Sequence, residues 1–341
     1  MSFTRKMLGT AAVGVAVALA VTGCAGGDGA AEQTAGASGA PVEKIDVNFG
    51  YIPDFNGTSL LAIAEDQGLW EKYGVNITTT TFTNGPLQIQ ALGTGDLDFG
   101  YIGPGAFWLP ASGQAKIVAI NTLGQADRVV GQPGIESMED LRGRTVAVPE
   151  GTSGDMILTL ALEDAGMTKK DLNVVPMEPS SIVAALSSKQ VDGAGFWFPA
   201  LATVKQQVPD LVELAENSDF EDTVAFPTAF VAGNDVVADE AEKVDRVLKV
   251  LREATAFRAE NTDEAIQLTA AFSALDPAQV EADAGNVQIL SLEEIDQLTE
   301  DGTVNTWLSG MVDYFVAAGK LPDPVDPSEF YTGDLYLQAG E

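Results

Sequence analysis

The chain repeats itself once. "NGTS" (56–59) returns as "EGTS" (150–153), and "QALGTGDLDFGYIGPGA" (90–106) returns as "AALSSKQVDGAGFWFPA" (184–200), both at an offset of 94 residues. Between them "EDQG" (65–68) matches "EDAG" (163–166) at an offset of 98, so the second copy gains four residues in its first helix, about one turn, and loses four afterwards. A unit written twice confines the chain to two bodies of one design.

Each copy reads the same way. A short apolar run ("VNFGYI", 47–52; "TVAVP", 145–149) leads through a Gly/Thr/Ser turn to a helix closing at Gly68 or Gly166. A second strand follows ("NITTTTF", 76–82; "NVVPM", 173–177), then a short helix with apolar residues at Leu87, Ile89 and Leu92 or at Ile182, Ala185 and Leu186. A third strand is entered through Asp98 or Asp192. Strands alternating with helices predict parallel pairing and right-handed crossovers, hence two α/β lobes. The chain is expected to cross between them near 121–134 and 223–235, giving lobe one as 44–128 plus 233–341 and lobe two as 129–232. From Ala238 the pattern is helical, with Val244, Val247, Leu248, Leu251 and Ala254 on one stripe that should cover the first lobe.

Composition narrows the function. Against 18 Lys and Arg stand 50 Asp and Glu, a formal charge of −32, which disfavours nucleic acid or an anionic membrane surface as partner. The chain has no histidine and one cysteine, which removes Ser-His-Asp and Cys-His catalysis, histidine metal sites and any intramolecular disulfide. No enzyme, cofactor or metal is expected. The cysteine has its own explanation. Residues 1–23 carry Arg5 and Lys6, then the apolar "MLGTAAVGVAVALAV", and run into "VTGC", as a secretory leader does. "VTGC" resembles the bacterial lipobox, which implies that Cys24 carries a diacylglyceryl group. Residues 24–43 are Gly-, Ala- and Ser-rich without apolar period, a tether spanning about 25 Å. The expected location is extracytoplasmic, held to the cell membrane by lipid.

Ligands of open parallel sheets bind beyond the carboxyl ends of the strands, where helices begin. Those loops are "PDFNGTS" (53–59), "TNGP" (83–86) and "YIGPGA" (101–106) in the first copy, and "PEGTSGD" (149–155), "EPSS" (178–181) and "FWFPA" (196–200) in the second. They supply Asp54, Phe55, Asn56, Thr58, Asn84, Gly85, Tyr101, Gly103, Gly151, Thr152, Ser153, Trp197 and Phe198 as candidate ligand-binding residues, and Thr228 joins them from the second crossing. The hydroxyls, amides and free N–H groups at these helix starts form a neutral cradle for an anion, with no Lys or Arg in any loop. Ordinary helix capping by the same residues is the competing account. Trp197 and Phe198 align through the repeat with Gly103 and Pro104, so they should wall the cleft from the second lobe.

"AEDQGLWEKYGVNI", "QALGTGDLDFGYIGPGA", "DLRGRTVAVPEGTS" and "AALSSKQVDGAGFWFPAL" together resemble the substrate-binding proteins of ABC importers for taurine, alkanesulfonates and nitrate. The resemblance implies a type II periplasmic-binding-protein-like fold, α/β, with two parallel-sheet lobes joined by a two-stranded hinge. It implies a monomer that closes on a small organic anion and delivers it to the permease and ATPase subunits of an importer. Binders of a flat heterocycle, such as a thiamine pyrimidine precursor, are the alternative of the same fold. The Ser/Thr loop matching Gly151–Ser153 would hold the anionic group and Trp197 the remainder. Many such proteins place an acidic residue between that tryptophan and the proline. Here Phe198 stands there, which favours a solute with an apolar tail unless Asp54, Glu150, Asp155 or Glu178 supplies the carboxylate. If the lipobox reading holds, Cys24→Ser will move the protein from the membrane fraction into the medium, followed by immunoblotting of fractionated cells.

Overall fold

In a computed structural model the structure describes residues 43–341; the leader, Cys24 and the tether up to residue 42 lie outside them. The repeat becomes two sheets. The first copy forms β1 (Ile45–Tyr51), β2 (Val75–Thr81), β3 (Phe99–Ile102), β4 (Lys116–Gly124) and β5 (Asp127–Gly131). The second forms β6 (Thr145–Val148), β7 (Asn173–Pro176), β8 (Gly193–Trp197), β9 (Val212–Glu216) and β10 (Pro227–Ala232), and β11 (Val287–Ile289) is added later. The strand orders are β11-β4-β10-β3-β1-β2 and β7-β6-β8-β5-β9.

The two orders match position for position, with one exchange. Within each copy the first strand pairs in parallel with the second and third. The fifth strand leaves for the other sheet: β5 lies antiparallel between β8 and β9, and β10 antiparallel between β3 and β4. The sheets are therefore mixed rather than purely parallel as expected. The reason is that a strand arriving from the other lobe enters from the opposite end. The same exchange moves the crossings: Asp127 and Arg128 already pair in the second sheet, and Pro227–Ala232 already pair in the first, ahead of the expected boundaries at 128/129 and 232/233.

Residue choice follows each strand's surroundings. β10, "PTAFVA", has all six residues buried and so shows no alternation, as a strand covered on both faces should, and its proline opens it where no ladder N–H is needed. β2, "VNITTTT", ends on exposed threonines at the sheet edge. Phe49, Phe99 and Phe230 sit with ring centroids 5.8 Å apart in two neighbouring pairs across β1, β3 and β10. The helix Ala241–Glu260 buries the expected stripe of Val244, Val247, Leu248, Leu251 and Ala254 against the first lobe. Trp70 packs edge-on to Phe49 in that core.

The lobes touch closely on both flanks of the cleft. Gly105 lies so near the backbone of the facing loop that a Cβ there would stand 2.1 Å from the Thr152 carbonyl carbon and 2.3 Å from the Ser153 nitrogen. Trp108 donates its indole N–H to the Gly151 carbonyl at 3.4 Å, and Lys320 lies 3.7 Å from Asp155 and 5.6 Å from the Trp108 ring centroid. On the other flank Glu178 accepts from Thr83 Oγ1 at 2.7 Å and from Asn84 Nδ2 at 3.0 Å. Asn84 and Glu178 are repeat mates, 94 residues apart, meeting across the cleft. Gly105→Ala should hold the lobes apart, since backbone rather than a mobile side chain must give way. Small-angle scattering will then report a larger radius of gyration than the parent chain; equal radii would mean that this contact does not limit closure.

Candidate functional site

The predicted loops converge. Asp54, Asn56, Gly85, Tyr101, Gly103, Thr152, Ser153, Trp197, Phe198 and Thr228 line one cleft of about 510 Å³, open solvent at its mouth included. Four candidates stand elsewhere. Phe55 is buried in the first core, and its N–H donates to Asp283 Oδ2 at 2.6 Å. Thr58 is fully buried and donates to the Ile52 carbonyl at 3.0 Å. Asn84 caps the helix Gly85–Thr94 through Leu87 N and serves in the flank contact with Glu178. Gly151, at φ 74°, faces Trp108 in an adjoining cavity. Of these, Thr58 and Asn84 spend side-chain groups on nearby backbone, Thr58 on Ile52 and Asn84 on Leu87.

The helix starts differ in how they are finished. Asp54 accepts from Gly57 N at 2.6 Å and so caps the helix Phe55–Asp66. Thr152 makes no side-chain cap for the helix Ser153–Asp164, because its hydroxyl donates backwards to the Pro149 carbonyl at 2.6 Å. The first-turn N–H groups of that twelve-residue helix therefore have no intrahelical partner and no side-chain cap among the described residues, and Thr152 and Ser153 at its start line the cleft. Trp197 serves two surroundings at once: it lines the cleft and packs into the smaller core with Leu201 and Val204. Phe198 is half-buried, and the Arg128 guanidinium carbon stands 5.8 Å from its ring centroid.

Sequence reasoning missed Asp127. It sits at the start of β5, in register with Trp197, and lines the cleft with Ile52, Pro104, Ala106, Gly124 and Ala126. The repeat held a signal. Continuing the β10–β3 register by one residue puts Thr228 opposite Gly103, the repeat mate of Trp197, so Thr228 and Asp127 are equivalent positions on the two exchanged strands. Asp127 also answers the question raised by Phe198, since a carboxylate does stand beside Trp197, delivered by the neighbouring strand.

Among the described residues no Lys or Arg lines the cleft. Arg128 turns away, bonding Glu213 at 2.9 Å, Glu216 at 3.1 Å and Asn286 at 2.9 Å. Asp127 is 4% exposed; Oδ2 accepts from Asn217 Nδ2 at 3.2 Å, whereas Oδ1 makes no hydrogen bond of full geometry among the described residues, although the Ser153 hydroxyl stands close enough to pull on the carboxylate. Burial pushes its carboxyl up to about 6 against the pull of Ser153, Asn217 and Arg128. Burial also raises Asp283 to about 7, opposed by the Phe55 N–H and reinforced by the charge of Asp127. Asp54 is raised well above the carboxylate range by burial and then by Asp283. Burial, with Asp54's charge, lifts the Tyr101 phenol well above its usual value.

The fold and this cleft together define a two-lobed solute-binding protein. The chain belongs to the NMT1/THI5-like family, whose model matches residues 56–265. It is similar, at 53% identity over 294 residues (86% of this chain, 92% of the relative), to a protein of Brucella abortus (strain 2308) named as a binding protein. At 28% identity over 248 residues (68% of this chain, 72% of the relative) it is similar to a protein of Bacillus subtilis (strain 168) named as an aliphatic sulfonates-binding protein. It shares its fold with the alkanesulfonate-binding protein of Xanthomonas axonopodis pv. citri bound to MOPS, at a TM-score of 0.68 and 23% identity, covering 85% of this chain and 99% of that one. These relatives are named for binding, not for catalysis.

Raised carboxyl pKa values make stability depend on pH. Between the unfolded value near 4 and the folded values of about 6 and 7, the folded chain holds protons that the unfolded chain has released, so stability falls as pH rises through that window. The solute-free chain should melt at a lower temperature at pH 7 than at pH 5, and Asp283→Asn should flatten that difference. Parallel melting curves for the two proteins would exclude Asp283 as a source of it.

Proposed function

We propose that this chain is the lipid-anchored solute receptor of an ABC importer, closing on a small solute that carries both an acidic group and a protonated amine. The leader and Cys24 support the anchor, and the sulfonate-binding relatives support import of an acid. The acid would lie at the uncapped start of the helix Ser153–Asp164, where N–H groups and the dipole favour negative charge. The unpartnered Oδ1 of Asp127 carries the rest of the reading. A carboxylate oxygen buried in a cleft without any base costs free energy until a donor reaches it, and an ammonium group is the donor that cancels its charge as well. Trp197, Phe198 and Tyr101 would flank that ammonium with aromatic faces.

Calorimetric titration of the chain from residue 42 with taurine and with isethionate, which replaces the amine by a hydroxyl, tests the pairing. Taurine should bind more tightly, and Asp127→Asn should weaken taurine roughly tenfold or more while narrowing its lead over isethionate, given about 1.5–3 kcal/mol for a hydrogen bond to a charged group. Isethionate binding equal to or tighter than taurine would sink the amine and leave a receptor for plain acids. An aminopyrimidine that displaces both would instead mark a flat heterocycle lying on the aromatic wall.

A further inference from the structure

We infer that Lys320, which stands outside the cleft lining, is a positioning residue for solute capture: it reaches from the first lobe to the loop 150–155 of the second and holds that loop only while the lobes are together. The inference rests on the reading that the lobes close on a solute. It does not depend on which solute that is.

The first lobe fixes where Lys320 begins. The helix Thr303–Ala317 brings Met311 and Phe315 to Phe107 and Phe330 in the first core. The chain then turns at Gly319, with φ 72°, and the Lys320 N–H donates to the Phe315 carbonyl at 2.8 Å. From there the side chain crosses to the second lobe. Its Nζ lies 3.7 Å from Asp155 Oδ2 and 3.9 Å from Glu150 Oε1, and 5.6 Å from the ring centroid of Trp108, a residue of the first lobe. The Trp108 indole in turn donates to the Gly151 carbonyl at 3.4 Å. Two first-lobe side chains therefore grip one second-lobe loop. That loop leads into the helix Ser153–Asp164, and its Thr152 and Ser153 line the cleft.

The contact can be released because Asp155 does not depend on it. The Asp155 side chain is 5% exposed, and a buried carboxylate stripped of its partners would be costly. Its own lobe already provides them: Lys169 pairs with Oδ1, and Gly151 N donates to Oδ2 at 3.1 Å. When the lobes part, Asp155 keeps both, while the exposed Glu150 and the Lys320 ammonium turn to water, so no buried charge is stranded. The Lys320 pair thus favours the closed arrangement without blocking its opening. Its weight is modest. A cavity of about 390 Å³ lined by Lys169, Lys320, Tyr314 and Thr159 adjoins it, and solvent screens a part-exposed pair. A bias on closure changes the affinity for every solute by the same factor, because only the closed arrangement assembles both walls of the site.

Spin labels at Gln90→Cys in the first lobe and Gln190→Cys in the second, both exposed positions, report the distance between the lobes in the Cys24→Ser protein. Without solute, Lys320→Met should move the distance distribution toward longer separations, and Lys320→Arg, which keeps the charge, should leave it near the parent's. Raising salt from about 0.1 M to about 1 M, where the screening length falls from about 10 Å to about 3 Å, should shrink the difference between parent and Lys320→Met. Titration with taurine should give Lys320→Met a dissociation constant about two- to fivefold higher, the range for a part-exposed ion pair, through faster release. In a Glu150→Gln, Asp155→Asn background the same substitution should alter neither the distances nor the affinity, whereas a lysine acting only through packing in its own lobe would act equally in both. Solute-free distances that Lys320→Met leaves unchanged overturn the inference, and so do equal shifts in the two backgrounds. If taurine does not bind the parent protein, the proposed solute is wrong, and the solute-free distances still decide whether Lys320 holds the lobes.

Discussion

Strand β5 leaves the first copy of the repeat to pair between β8 and β9, and β10 leaves the second copy to pair between β3 and β4. Neither sheet is complete without a strand from the other half of the sequence. The exchange ties the lobes by two short crossings, which is enough to keep them facing and little enough to let them open. It also puts Asp127, the first residue of β5, and Thr228, the second of β10, beside the loops after the third strands. The cleft chemistry is thus a by-product of how the halves are joined. One exchanged strand brings the Asp127 carboxyl to it and the other the Thr228 hydroxyl.

Charge in the cleft is arranged by exclusion. The only arginine next to it in sequence, Arg128, is drawn outward by Glu213 and Glu216, and the arginine behind it, Arg258, is separated from it by Asn121. What faces the solute space is a pair of buried carboxylates, an uncapped helix start and three aromatic rings. Such a set binds a plain cation or a plain anion less well than a solute carrying both charges, since each wall answers one sign and repels the other. Burial, before any neighbouring charge, raises the carboxyl pKa of both Asp54 and Asp127.

Most of the architecture could be read along the chain, because each copy alternates its strand and helix patterns cleanly and the offset of 94 residues fixes which loops face each other. Ten of the predicted site residues meet in the cleft for that reason. Phe55, Thr58 and Asn84 did not become lining residues, since the same loop that approaches the cleft must also finish its own helix and fill its own core. Asp127 was invisible for a different reason. Nothing local distinguishes a strand that stays in its lobe from one that crosses, and in "GQADRVVGQ" the aspartate reads as part of a connecting loop.

The sequence by itself determined the duplication, the α/β character, the strongly acidic balance, the absence of histidine and the positions of the helix starts. Periodicity and turn chemistry are short-range properties, so the α/β character and the helix starts can be read within about twenty residues, while the duplication and the composition need only the whole sequence laid against itself. Only the tertiary structure decided which sheet β5 and β10 join, that Asp127 stands beside Trp197, and that Arg258 donates to Asn121 behind the cleft. Those are pairings between residues a hundred or more apart in several cases, selected by the burial of a strand on both faces and by the need of every buried polar group for a partner, and no local pattern encodes them.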